Sequence, residues 1–240
     1  MPFFRDFSNI GDIVINALFR LIPALFCITI HELAHGVAAY KLGDNTAKDM
    51  GRLTLNPVKH IDPIGLLMML VIGFGWAKPV PVNMHNFKHP KWFMAVTALA
   101  GPVSNILLAV FVIFIFGLFA AAFGVIYEAS MGMYLLTTGA SEIAFRIFST
   151  TIFLSIALAV FNMLPIPPLD GSKVVFSLLP EEQYYKLMKY ERYGIILLLV
   201  FINSSLIFGV DLFYNTVVTF TLTIESYLRE IFVIAYNLVN

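Results

Sequence analysis

Ile28-Thr29-Ile30-His31-Glu32-Leu33-Ala34-His35-Gly36 is the stretch that the rest of the chain must accommodate. It reads His-Glu-x-x-His. On a helix, residues i and i+4 share a face, so His31 and His35 can reach one metal ion. Glu32 lies beside them and can take a proton from an attacking water. The residues before the motif, Ile13 to Ile30, are almost wholly apolar, as a membrane span requires. The motif therefore falls within a membrane helix. Ionisable groups in hydrocarbon are costly and usually functional, which weighs against a chance match on the polar face of an amphipathic helix.

Composition agrees with that setting. The chain has 240 residues, 59% hydrophobic and 12% charged, with mean hydropathy +0.85. Soluble domains are roughly half apolar and a quarter charged, so this is read as an integral membrane protein. The formal net charge is zero, and no nucleic-acid partner is expected. Cys27 is the single cysteine, which excludes an internal disulfide. Met1-Pro2-Phe3-Phe4-Arg5-Asp6 lacks a basic n-region, so the first apolar run is expected to be a retained helix, not a signal peptide.

Outward from the motif, the first span is expected over about Asp12 to Tyr40. Arg20 interrupts it and reads as a snorkelling or paired side chain. Cys27 lies one turn before His31 and could be a ligand, although packing is the preferred reading. Lys41 to Pro63 is polar and turn-rich, with Arg52-Leu53-Thr54-Leu55 alternating like a short strand. Ile64 to Ala77 is apolar but short for a crossing, and Gly65, Gly73 and Gly75 favour a re-entrant segment. Lys78-Pro79-Val80-Pro81-Val82-Asn83 fits an edge strand.

A second span follows Trp92 and runs to about Gly124, with Gly101, Ser104 and Ala109 as small contact positions. Asn105 within it is expected to form an interhelical hydrogen bond. Tyr127 to Ser141 reads as a loop. The third span, about Ile143 to Leu164, ends in Asn162-Met163-Leu164-Pro165-Ile166-Pro167-Pro168-Leu169-Asp170-Gly171. Its prolines break the helix, and irregular backbone at membrane depth is tolerated where it lines a wet cavity. Gly194 to Phe213 reads as a fourth span. The tail from Tyr214 could be a last span or an interfacial helix.

The fold expected is an all-α membrane protein. It is a polytopic helical bundle with a three-helix catalytic core, a re-entrant segment and short membrane-associated β-strands. One domain covers residues 1–240, with the core at about 12–179 and C-terminal membrane segments at about 191–240. Eleven lysines and arginines fall between Lys41 and Lys91 or between Lys173 and Arg192. The positive-inside rule assigns that face to the cytoplasm. Both chemical motifs lie at that face of a multi-pass protein of the cell membrane, with the N-terminus outside.

A catalytic zinc takes three protein ligands and keeps one position open. His31 and His35 supply two. Asp170, just past the helix break on the same face, is the favoured third, with His60 and Asp62 as rivals. Asn162 could hydrogen-bond the oxyanion, or could satisfy backbone freed near Pro165.

These motifs resemble the site-2 protease family of intramembrane zinc metalloproteases. His31 to His35 matches its HExxH. Asn162 to Gly171 matches Asn-x-x-Pro-x-x-x-x-Asp-Gly at every fixed position. Gly51-Arg52-Leu53-Thr54-Leu55-Asn56-Pro57, Gly75 to Asn83 and Ala100-Gly101-Pro102-x-x-Asn105 look like its compact bacterial and archaeal branch. The resemblance implies one zinc per chain on His31, His35 and Asp170, Glu32 as general base, and Asn162 toward the substrate. It also implies transmembrane proteins as substrates, within the lipid bilayer. Regulation through a PDZ or CBS module is not expected. Edge strands at Lys48–Leu55 or Lys78–Asn83 could hold an unwound substrate by strand addition. Two other classes compete: a metal transporter, disfavoured by the single ligand cluster with its general base, and an inactive membrane-protein-binding homologue, disfavoured by the intact motif.

Overall fold

The computed structural model describes residues 10–72, 75–128 and 133–239. Met1 to Asp6 and Gly73, on which two of the expectations rest, lie outside the described residues. The chain is a helical bundle with one small hairpin. The first helix, α1 (Ile10–Lys41), is followed by the short α2 (Thr46–Asp49), the re-entrant α3 (Pro63–Ile72) and the long α4 (Pro90–Phe119). A hairpin of β1 (Val125–Glu128) and β2 (Met133–Leu136) leads to α5 (Gly139–Asn162). Then come α6 (Asp170–Phe176), α7 (Glu181–Lys189), α8 (Gly194–Ile202), α9 (Ser204–Phe208) and α10 (Thr219–Asn237).

Among the described residues, three helices are long and apolar enough to cross a membrane: Ala17–Lys41, Pro90–Phe119 and Gly139–Asn162. They are the expected three-helix core, and the chain is a membrane protein. α4 is central and packs against α1, α5 and α10. Its Leu108, Val112, Ile113 and Phe116 meet Ile152 and Ile156 of α5 and Phe232 of α10 in a buried cluster. Cys27 joins that cluster, and its thiol donates to the Thr151 carbonyl at 3.6 Å. It is a packing residue.

The re-entrant expectation for Ile64–Ala77 has a concrete basis. Asp62 Oδ1 accepts from the amides of Ile64 and Gly65 at 3.0 and 2.9 Å, opening α3. The chain then returns along α3. A Cβ on Gly65 would overlap the Trp76 carbonyl, and one on Gly75 would overlap that of Gly65. Only glycine permits so close an approach of two backbones. Ile61 and Ala77 form an antiparallel bridge at the base of the turn.

Four expectations need correction. Lys48–Leu55 and Lys78–Asn83 are not strands. Lys48 belongs to α2, the chain turns at Gly51, and Pro79 and Pro81 have no amide hydrogen for a ladder. The strands instead begin at Val125 and run into the expected loop of Tyr127 to Ser141, where Tyr127 and Tyr134 pair across the hairpin and pack on Phe232. Gly194–Phe213 is not one span but α8 and α9, interrupted at Asn203 and turning at Gly209. Asn105 is fully buried and it is its backbone carbonyl, not its amide group, that accepts from Ser155 Oγ at 2.8 Å.

The tail is a member of the bundle and not an isolated interfacial helix. A π-helical turn, Tyr214–Val218, leads directly into α10. Phe213 meets Phe161 near the end of α5, with ring centroids 6.0 Å apart. Near the far end, Ala235 packs on Gly117 of α4 so closely that a Cβ on Gly117 would lie 2.7 Å from that of Ala235. The tail therefore runs from the Asn162 end of the bundle to the hairpin end.

Candidate active site

α1 turns one face inward, and His31, His35 and Ala39 are buried along it. Asp170 comes from the other end of the chain. Pro165, Pro167 and Pro168 stop α5 from continuing, and Asp170 opens α6 after that break. One ligand atom from each of His31, His35 and Asp170 lies within 4.8 Å of the others. Asp170 Oδ2 is 3.2 Å from His31 Nε2 and 3.1 Å from His35 Nε2. The two imidazoles meet edge to face, with centroids 4.6 Å apart.

The proton positions test whether these residues suit a metal. The Thr97 carbonyl can only accept, so His35 Nδ1, 2.7 Å away, carries the hydrogen. A neutral His35 ring then points an Nε2 lone pair at a carboxylate oxygen, an unfavourable contact unless a cation lies between. Two ligands of a tetrahedral zinc, each at about 2.05 Å, are about 3.3 Å apart, close to both separations. Two imidazole nitrogens and a carboxylate oxygen form a common catalytic zinc set. The residues fit zinc.

Neighbouring groups shape the cluster. Gly101 of α4 faces both rings, and a Cβ there would overlap His35 Nε2 and lie 2.7 Å from His31 Cε1. Lys173 Nζ stands 3.8 Å from Asp170 Oδ1 and 3.5 Å from Glu191 Oε1. It draws on the carboxylate oxygen turned away from the histidines. His31 Nδ1 is buried with no hydrogen-bond partner among the described residues.

The remaining expected residues fall into two groups. Glu32 is half-buried beside the cluster, and its Oε2 accepts from the Val80 amide at 2.7 Å. Asn162 is half-buried at the end of α5, where its Nδ2 donates to the Leu158 carbonyl at 2.9 Å. No hydrogen bond joins it to His31, His35 or Asp170 among the described residues. The rivals for the third ligand have local duties: Asp62 opens α3, and His60 Nε2 donates to the Thr54 carbonyl at 2.9 Å.

Sequence reasoning missed three contributors. Thr97 and Val80 act through backbone atoms, which residue type does not reveal. Gly101 carries a signal, as a small contact position and as part of the Ala100-Gly101-Pro102 segment, but neither places it against the two histidine rings.

Comparisons with known proteins give the family. The model of Peptidase family M50 matches residues 19–207. "Putative zinc metalloprotease YwhC" of Bacillus subtilis (strain 168) is 43% identical over 188 residues, covering 78% of this chain and 81% of that one. "Putative zinc metalloprotease Rip2" of Mycobacterium tuberculosis (strain ATCC 25618 / H37Rv) is 29% identical over 185 residues, covering 73% of this chain and 63% of its own. Rip2 of Mycolicibacterium smegmatis (strain ATCC 700084 / mc(2)155) is also 29% identical, over 186 residues. No solved structure matches. The match to the family model spans most of the chain and includes both motifs, so this zinc metalloprotease belongs to Peptidase family M50, the site-2 protease family.

Proposed function

We propose that the protein hydrolyses peptide bonds in or near the membrane-spanning segments of other membrane proteins, with one zinc ion per chain. The observation that carries this reading is the meeting of His31, His35 and Asp170 within 4.8 Å among helices apolar enough to span a bilayer. His35 lies six residues before the end of α1, or roughly 9 Å inside it at 1.5 Å per residue.

His31, His35 and Asp170 would hold the ion. Bound zinc supplies a Lewis acid and lowers the pKa of water toward ~7. Glu32 accepts the proton of the attacking water and returns it to the leaving amine. Asn162 commits one Nδ2 hydrogen to Leu158 and offers the other to the oxyanion. Thr97 keeps the His35 ring in the tautomer that presents Nε2.

A helical substrate has its backbone bonds satisfied internally, so it must unwind before attack. Strand addition on Lys78–Asn83 is not part of this reading. The amides of Lys78, Val80 and Asn83 are held by His60, Glu32 and Asp44. The eleven basic residues orient the catalytic end of the bundle toward the cytoplasm of the cell membrane. Residues 1–240 form one peptidase domain, with its catalytic core at about 12–179.

The test is cleavage of a panel of single-span substrates by purified wild type and Glu32→Gln, with zinc measured on both. Cleavage by wild type alone, with zinc in both, supports the reading. Cleavage by Glu32→Gln removes Glu32 as the base. Zinc in neither protein, under conditions that preserve the fold, counts against the site.

A further inference from the structure

Residues 78–83 cross the catalytic helix as an extended strap. Two prolines stiffen it. Pro79 and Pro81 fix their own φ, and each restricts the residue before it, Lys78 and Val80, to extended backbone. Because proline has no amide hydrogen, Val80 carries the only N–H between residues 79 and 81. That N–H donates to Glu32 Oε2 at 2.7 Å.

The strap is tied on both sides of this contact. Before it, the Lys78 amide donates to the His60 carbonyl at 2.9 Å, and the Lys78 carbonyl accepts from Arg52 Nη2 at 2.7 Å. Beyond it, the Asn83 amide donates to Asp44 Oδ2 at 2.7 Å. Arg52 is 5% exposed and forms no ion pair among the described residues. Burying a guanidinium without a counter-charge costs solvation. In return Arg52 holds the one carbonyl that fixes the start of the strap.

A glutamate on a half-buried helix face has three side-chain torsions to restrain. One charge-assisted hydrogen bond to a stiff backbone removes much of that freedom. It occupies Oε2 and leaves Oε1 to face the attacking water. We propose that the Val80 amide, braced by Arg52 through Lys78, positions Glu32 for proton transfer. Val80 and Arg52 are positioning residues. The inference rests on Glu32 being the proton acceptor.

The test replaces one atom. Incorporating the α-hydroxy analogue of valine at position 80 turns its amide into an ester, which removes the donor, weakens the Pro79 carbonyl as an acceptor and sets an ester oxygen against Glu32 Oε2. Arg52→Ala and Arg52→Lys are compared with it, and Glu32→Gln runs in parallel. On a single-span substrate the ester protein is expected to lose about 10- to 100-fold in kcat. Its KM stays within about twofold, and its zinc content is unchanged. Arg52→Ala follows the same split, and Arg52→Lys regains part of the loss. Infrared difference spectra of metal-free protein give a readout independent of activity. The carboxylate band that Glu32→Gln abolishes shifts in the ester protein.

An unchanged kcat, or an unshifted carboxylate band, overturns the inference. A rise in kcat also overturns it, because the contact would then restrain Glu32 until released. Loss of zinc from the ester protein overturns it by making the strap part of the metal site's fold. Full activity in Glu32→Gln would instead remove the functional reading beneath it. An inactive Glu32→Gln beside a fully active ester protein would remove this inference alone.

Discussion

Gly101 of α4 lies against the imidazole of His35 so closely that a single added carbon would overlap Nε2. The helix that forms the floor of the cluster therefore has no side chain at its point of contact. Gly101→Ala should displace both rings. The expected result is a loss of about 10- to 100-fold in zinc affinity, the range seen when groups that orient metal ligands are changed. Competition with a calibrated chelator measures it. Ser104→Ala, one turn away on the same helix, is the control and should leave affinity within about twofold.

Removing the metal should stop cleavage, and zinc should restore it. Asp170→Ala should fail to recover when zinc is returned at concentrations that reactivate wild type. Its affinity loss should exceed the roughly 10- to 100-fold cost of disturbing an outer partner. Metal analysis of dialysed protein, paired with a cleavage assay, checks both statements.

Asp44 supplies a pH prediction from outside the spans. Its carboxylate is fully buried in the turn after α1. It accepts from the Thr46 amide and hydroxyl, the Asn83 amide and the Asn86 side chain. Burial pushes its pKa up, but these hydrogen bonds outweigh burial and hold it below the usual carboxylate range. A depressed folded pKa means that the stabilisation is present above the unfolded value, about 3.9. It is lost as pH falls through the folded value. Wild type should lose thermal stability below about pH 4 more steeply than Asp44→Asn. At neutral pH the variant should be weaker by about 1–3 kcal/mol, because buried donors lose a charged acceptor. Melting curves in detergent across pH decide it.

The contact between α4 and α10 gives a prediction about stability alone. A Cβ on Gly117 would lie 2.7 Å from both Ala235 Cβ and the Phe232 carbonyl. Gly117→Val should cost about 1–3 kcal/mol through overpacking, seen as a lower melting temperature. Zinc content at low temperature should be unchanged, since the contact lies toward the hairpin end.

The helices and the cluster of His31, His35 and Asp170 are legible in the sequence. A His-x-x-x-His spacing fixes one face of one helix, and a proline-broken span ending in Asp170 marks a second approach to it. Short apolar length with paired glycines marked the re-entrant turn. The tail is less legible. Glu225, Arg229 and Glu230 lower its hydropathy, and only packing on α4 and α5 shows that it joins the bundle. The run Gly194–Phe213 misled because its composition is that of a span, while Asn203 and Gly209 divide it. Nothing in the residue types of Thr97 or Val80 announces that a carbonyl orients His35 or that an amide holds Glu32.

His31, within α1, and Asp170, at the start of α6, stand 139 residues apart in the chain, with the other two core helices between them. An ion gripping both would act as a cross-link, closing a loop that contains α4 and α5. Closing a loop of that length removes several kcal/mol of freedom from the unfolded chain on a chain-entropy estimate, about 4–5 kcal/mol. A ligand bound only by the folded form adds stability in proportion to the logarithm of its free concentration. Zinc supply would then set how long this protein survives in the membrane as well as how fast it works. A zinc-starved cell would hold less of it.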